Sequence, residues 1–248
     1  MKTTGRILCF AATRVPAETE RLMGSEVLEL LSQDERRRIE RLRKPGDRNR
    51  AVVGRLLAKA ILASVSGAAI NTIHLERDGS GRPIVVAPIK DEGHFDLSLS
   101  HSGLWVVCTL AESALVGVDV EQIAEIDTGV MEYAFTNDEK RVVVSRGPGE
   151  QTAAFFDIWT CKEAYGKAIG KGITYDLLQL NINLLDNGAV QADFEGVPLT
   201  SHCFQRYELD PQYRLSLCVK GADPPASVSV VDVLAWIASL KNNPVQNC

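Results

Sequence analysis

The chain has no uninterrupted apolar stretch near the roughly 20 residues that a membrane-spanning helix needs. Its best run, Val52 to Val65, is broken by Arg55 and Lys59. After Met1-Lys2-Thr3-Thr4-Gly5-Arg6 comes only a short apolar run, Ile7 to Ala12, too short for a secretory h-region and without its cleavage pattern, so a cytoplasmic protein is expected. There is no basic surplus: 27 Lys and Arg stand against 32 Asp and Glu for a net charge of −5, which argues against general nucleic-acid binding. Nor is there a C-x-x-C pair among Cys9, Cys108, Cys161, Cys203, Cys218 and Cys248, a scatter that argues against structural zinc and suits buried, reduced thiols. What is present, 45% hydrophobic and 24% charged residues over 248 positions, supports one large folded unit or two.

Periodicity divides the chain. A strand over Arg6 to Ala11 precedes a segment of helical period, Glu18 to Leu31. Ser32-Gln33-Asp34-Glu35 reads as a capping box that starts a helix running to about Arg43. Asp47 is expected to cap a longer helix, with Val53, Leu56, Leu57, Ala60, Ile61 and Val65 on one stripe and Gly67 at its end. Short β-rich runs follow: Ile73 to Glu76, Ile84 to Val86, Phe95 to Ser100, Leu104 to Ala111 and Leu115 to Glu121. The clean alternation of Phe95-Asp96-Leu97-Ser98-Leu99-Ser100 predicts one wet face. A helix from about Glu150 to Ile169 and four more strands, with a hairpin at Asn187-Gly188, repeat this order. Leu104 to Cys108 echoes Tyr213 to Cys218, so the expected fold class is α+β: two similar halves, 1–112 and 113–248, each a long helix on an antiparallel sheet, with a ligand in the crevice between them.

Four groups of residues could carry chemistry. In Gly117-Val118-Asp119-Val120-Glu121, Asp119 and Glu121 share one strand face, and two such carboxylates need a positive partner, for which Mg²⁺ is suited; a wet strand face is the plainer alternative. In Trp159-Thr160-Cys161-Lys162-Glu163-Ala164-Tyr165-Gly166-Lys167, Glu163 and Lys167 share a helix face, which equally describes a surface ion pair, and Trp159 equally suits a core. The Gly170-Lys171-Gly172 run that follows lacks the spacing of a phosphate loop. His101 in Ser98-Leu99-Ser100-His101-Ser102-Gly103 can donate to a phosphate or simply end a strand. The segment Arg36 to Arg50 has a local charge of +6, leaving −11 for the remainder, and suits either a solvated helix or a small polyanion.

Taken together these motifs resemble the 4′-phosphopantetheinyl transferases of the double-length type that activates surfactin-like peptide synthetases. The resemblance lies in a G-[IV]-D-x-E strand and a W-x-x-K-E-[AS]-x-x-K helix, with 44 residues from Asp119 to Glu163, and in S-H-S-G, Gly81-Arg82-Pro83 and Arg50 to Gly54 upstream, covering Gln33 to Gly172. It implies a monomer of two pseudo-twofold-related halves. The N-terminal half would take the nucleotide end of coenzyme A, and the C-terminal half would hold the metal and dock an acyl or peptidyl carrier protein, whose serine receives the phosphopantetheine arm. It further implies Asp119, Glu121 and Glu163 as Mg²⁺ ligands, and Glu163 with Lys167 as the catalytic residues. Lys162 and Lys167 would meet the phosphates, Arg50 and His101 the 3′-phosphate end, and Arg82 and Ser100 the nucleotide pocket. Ile173, Tyr175, Leu177 and Leu178 could form part of the docking patch or of the core. A Mg²⁺-dependent coenzyme A pyrophosphate hydrolase and a non-catalytic carrier- or nucleotide-binding module use the same residues and stay open at this point.

Overall fold

Two long helices organise the molecule, each lying on its own antiparallel sheet. The structure, a computed structural model, describes residues 5–17, 22, 24–79, 81–87, 94–147, 149–172, 176–185 and 187–242. Strand β1 (Arg6–Arg14) is followed by a single turn, α1 (Ser25–Leu28), by α2 (Gln33–Glu40) and by the 22-residue α3 (Pro45–Ser66). The capping box forms at α2: Glu35 N–H donates to Ser32 Oγ, and Ser32 N–H donates to Glu35 Oε2. Helix α3 starts before Asp47, because Pro45 takes the first position, where its missing N–H is harmless. Asp47 therefore lies inside the first turn and pairs with Arg50 at 2.5 Å instead of capping.

Beyond α3, β2 (His74–Arg77) and β3 (Pro83–Ala87) form a hairpin, and β4 (Phe95–Ser102) and β5 (Trp105–Glu112) continue the main sheet. The C-terminal half contains β6 (Leu115–Gln122), α4 (Thr128–Ala134), α5 (Asn137–Ser145) and α6 (Gln151–Ala168). Strands β7 (Leu180–Leu184), β8 (Val190–Phe194), β9 (Val197–Pro198), β10 (Cys203–Tyr207), β11 (Tyr213–Lys220) and β12 (Ser229–Val230) precede the final helix α7 (Val233–Asn242). The two principal sheets have the orders β12-β1-β5-β4 and β10-β11-β6, antiparallel apart from the β1–β12 pair. Helices α4, α5 and α7 have no counterpart in the expected elements.

The halves correspond at several key positions. Cys108 of β5 pairs with Ala11 of β1, and Cys218 of β11 pairs with Gly117 of β6, so Thr13 occupies the place that Asp119 takes in the other half. A second capping box, Thr136 with Glu139, opens α5 as Ser32 with Glu35 opens α2. In each half that glutamate forms a buried ion pair, at 2.9 Å, with a lysine of the long helix: Glu35 with Lys59, and Glu139 with Lys162.

Apolar side chains collect in three places: between α3 and its sheet, between α6 and its sheet, and between the sheets, where Phe10, Trp105, Val107, Val118, Val120, Leu215 and Leu217 meet. Two expectations change here. The polar face of β4 is not wet, since Ser98 and Ser100 are buried against β6. The chain also does not divide cleanly at Glu112: β12 adds to β1, and α7 packs on α3 with Val233, Ile237 and Leu240 in the N-terminal core. Cys108, Cys161 and Cys218 are buried and free, as expected, whereas Cys203 is exposed and Cys9 is disulfide-bonded.

Candidate active site

The site begins with a glycine. A Cβ at Gly117 would stand 1.9 Å from the Ala164 carbonyl oxygen and 2.4 Å from the Ala168 nitrogen, so only glycine lets α6 lie directly on β6. That contact brings Lys167 to the carboxylate two residues along the strand: its Nζ donates to Asp119 Oδ1 at 2.6 Å, to Ser100 Oγ at 3.0 Å and to the Val118 carbonyl at 3.1 Å. Glu163 lies one turn earlier on the same helix face.

Strand β4 supplies the other wall. Its alternate residues accept from every second β6 N–H group: Asp96 from Val116 at 2.8 Å, Ser98 from Val118 at 3.0 Å, Ser100 from Val120 at 3.3 Å and Ser102 from Gln122 at 3.0 Å. Two of the serines also donate onward, Ser100 to Asp119 Oδ1 at 2.8 Å and Ser102 to Glu121 Oε2 at 2.7 Å. The face that alternation marked as wet is a hydrogen-bonded seam between the halves, and it orients both strand carboxylates. Gly103 is required where the seam ends, because its Cβ would come within 2.3 Å of the Tyr213 hydroxyl.

A cleft of about 410 Å³ runs along this seam. Ser100, His101, Asp119, Glu121, Glu163 and Lys167 line it, with Arg55, Arg77 and Arg82 at the N-terminal half and Gly170 and Gly172, both at positive φ, beside the end of α6. Desolvation, with Asp119 next, pushes the Glu121 carboxyl up to about 7, and desolvation, with Asp119 and then Glu121, does the same for Glu163. Desolvation also lowers the His101 pKa, with Arg50 and Lys167 acting in the same direction. Asp119 Oδ2 and Glu163 Oε1 are buried without a hydrogen-bond partner. Such oxygens have the chemistry a hard divalent cation demands. Among the described residues no three His, Cys, Asp or Glu side chains converge closely enough to hold a metal unaided.

Two expected residues are not brought to the cleft. Lys162 is fully buried on the other side of α6, where its ammonium meets Glu139 and donates to the Leu177 and Leu180 carbonyls at 2.7 and 2.5 Å. It cannot reach a phosphate without breaking that buried set. Arg50 braces the turn after β4, donating to the Gly103 carbonyl at 3.1 Å, while holding Asp47. Of the arginines in the cleft, Arg55 was expected from sequence only as a break in an apolar run, and Arg77, beside the end of a short β-rich run, carries no sequence motif that would single it out. Trp159 packs against the core under α6. Leu177 is buried and Leu178 exposed, while Ile173 and Tyr175 lie outside the described residues.

Comparison with known proteins places the chain in a family. Residues 115–218 match the 4′-phosphopantetheinyl transferase superfamily, and residues 19–113 match the 4′-phosphopantetheinyl transferase N-terminal region. The 4′-phosphopantetheinyl transferase psf-1 of Bacillus pumilus is 34% identical over 205 residues, 82% of this chain and 84% of that protein. This chain belongs to the 4′-phosphopantetheinyl transferase superfamily. The transferase is also 27% identical to Sfp of Bacillus subtilis strain 168, over 86% of this chain and 91% of the relative. A holo-(acyl-carrier-protein) synthase structure from Bacillus anthracis covers 44% of this chain and 96% of its own at 21% identity, with a TM-score of 0.36. No helix among the described residues of the transferase is long and apolar enough to cross a membrane.

Proposed function

We propose that this transferase moves the 4′-phosphopantetheine arm of coenzyme A to a serine of an acyl or peptidyl carrier protein, with Mg²⁺, releasing adenosine 3′,5′-bisphosphate. The supporting observation is the convergence of Asp119, Glu121, Glu163 and Lys167 on one wall of a cleft whose far end presents Arg55 and Arg77. A pyrophosphate seated there meets cations at the nucleotide end and carboxylates that need a cation at the other. Asp119 Oδ2 and Glu163 Oε1, with Glu121 beside them, would hold Mg²⁺, and phosphate oxygens would complete its shell, the usual arrangement for this ion. When bound, the ion supplies charge neutralisation at the phosphoryl group. Lys167 adds a positive charge on the same side, and Ser100 and Ser102 hold the strand carboxylates in place.

Glu163, on the cleft wall one helical turn from Lys167, is the group suited to take the proton of the incoming serine hydroxyl. The serine oxygen then forms its bond to the phosphorus of the arm as the pyrophosphate bridge breaks, and the bisphosphate leaves. The N-terminal half, residues 1–112, serves the nucleotide; the remainder serves the metal and carrier, apart from β12 and α7, which lie on the N-terminal half. Tyr133, half exposed on α4 and within electrostatic reach of Glu163, and exposed Leu178 flank the carrier's approach. The transferase acts as a cytoplasmic monomer and takes neither nucleic acid nor membrane as a partner.

The test is the intact mass of an apo carrier protein incubated with this chain, Mg²⁺ and coenzyme A. A gain equal to the phosphopantetheine arm, lost in EDTA, is expected. Release of the bisphosphate without any carrier would instead make the protein a pyrophosphate hydrolase, and binding without turnover would leave only a module.

A further inference from the structure

Arg82 lines the cleft, yet its guanidinium points away from being a ligand contact. The turn that carries it is fixed at both ends: Arg82 N–H donates to Asp78 Oδ1 at 3.0 Å, Asp78 N–H donates to the Arg82 carbonyl at 2.9 Å, and Gly81 supplies a φ of 88°. From there the side chain, 15% exposed, crosses to the other half of the molecule. Its Nη2 donates to both Asp96 carboxylate oxygens at 2.6 Å and to the Val116 carbonyl at 2.7 Å, while Nη1 donates to the Lys167 carbonyl. Asp96 closes the ring by accepting from the Val116 N–H.

One planar cation thus joins β4, β6 and the C-terminal end of α6, and it does so at the residue whose own ammonium rests on Asp119. A guanidinium at the last carbonyls of a helix is favoured by the helix dipole, and only its forked donors reach three elements at once. We propose that Arg82 is a positioning residue: it holds the last turn of α6 against the seam and so sets the approach of Lys167 to the carboxylate cluster, rather than binding the nucleotide. The proposal rests on the transferase function above and adds a residue from the nucleotide half to the machinery of the catalytic half.

The two roles separate in kinetics. A nucleotide contact, once removed, weakens coenzyme A; a positioning residue, once removed, leaves coenzyme A binding alone and slows the chemistry. For Arg82→Lys, which keeps the charge but not the fork, kcat is expected to fall on the order of tenfold to 100-fold while the calorimetric affinity for coenzyme A stays near wild type. Asp96→Asn is expected to reproduce this loss, and the double variant Arg82→Lys/Asp96→Asn to be no slower than the worse single variant, because the pair acts as one unit. Hydrogen exchange of the amides at the end of α6 should rise in each variant. A tenfold loss of coenzyme A affinity with kcat preserved, or losses in kcat that multiply in the double variant, would overturn the proposal. So would failure of both single variants to fold, which would make the pair purely structural. Wild-type protein run beside them keeps the cases apart: if it does not modify the carrier, the transferase reading fails, whatever the variants do.

Discussion

Glu121 and Glu163 titrate near neutral pH because α6 and β4 shut water away from them while Asp119 stands close by. Their folded pKa, about 7, lies above the ordinary carboxylate value of 4.5, so the folded chain holds more protons than the unfolded one between those limits. The stability this confers is fully present below pH 4.5 and is lost as pH rises through about 7. At 1.36 kcal/mol per pH unit the loss is at most about 3 kcal/mol for each group. Melting temperature in EDTA should therefore fall across this window, Glu163→Gln should flatten the fall, and Mg²⁺ with coenzyme A should recover stability on the neutral side. A wild-type curve that stays level, unmoved by the metal, would remove the carboxylate cluster as a cation site. At the other end of the cleft, Arg55 is mostly buried beside Arg77, and its nearest carboxylate, that of Glu35 at 3.9 Å, already serves Lys59. Such a cation awaits an anion. Arg55→Gln should weaken coenzyme A about tenfold, the cost of one charge-assisted hydrogen bond, with dephospho-coenzyme A much less affected; equal losses would place the 3′-phosphate elsewhere.

At the scale of elements, α6 is held by a glycine beneath it and a buried ion pair behind it. Gly117→Ala puts a methyl group into the Ala164 carbonyl, and the helix must lift from β6. A loss of about 3 kcal/mol or more and near-complete loss of transfer are expected, read by urea unfolding and carrier mass. Lys162→Met strands the Glu139 carboxylate and should cost about 3 to 5 kcal/mol, whereas Lys162→Met/Glu139→Leu should regain most of it, since the pair can be replaced by apolar volume. In the folded double variant the KM for coenzyme A should match wild type, and a rise would return Lys162 to the phosphate. The structure places Lys162 away from the cleft for a reason visible only in three dimensions. Its neighbour Glu163 faces the cleft, one residue turns about 100° around a helix, and the charge opposite Lys162 comes from α5, a helix whose Thr136-x-x-Glu139 capping box was legible but not read.

For the molecule as a whole, the C-terminal segment makes the halves interdependent. Ending the chain at residue 228 would leave Asp119, Glu121, Glu163 and Lys167 in place but remove Val233, Ile237 and Leu240 from the N-terminal core. Each contributes roughly 1.5 to 3 kcal/mol by burial, a large share of a domain's stability. The truncated protein is expected to melt far below the full chain and to lose coenzyme A binding although its carboxylate site is intact. Full binding and stability without the segment would show that β12 and α7 are accessory.

The local record in the amino-acid order was sufficient for the longer strands, though not for β9 or β12, for α2, for α3 and α6 within a few residues, for the internal echo of the two halves, and for the shared strand face of Asp119 and Glu121 and the shared helix face of Glu163 and Lys167. All of these depend on spacing along one strand or helix, which periodicity and capping chemistry express directly. What the tertiary structure decided was the partner of each polar group. The serines of β4 read as solvent-facing because alternation records which face a side chain is on and not what covers that face; the covering strand, β6, has its own N–H groups turned toward them. The resemblance implied phosphate contacts for Arg50 and Lys162 and a place in the nucleotide pocket for Arg82, because a cation in sequence carries no record of its counterion. In the folded chain, main-chain carbonyls of distant elements and nearby or distant carboxylates have already claimed them.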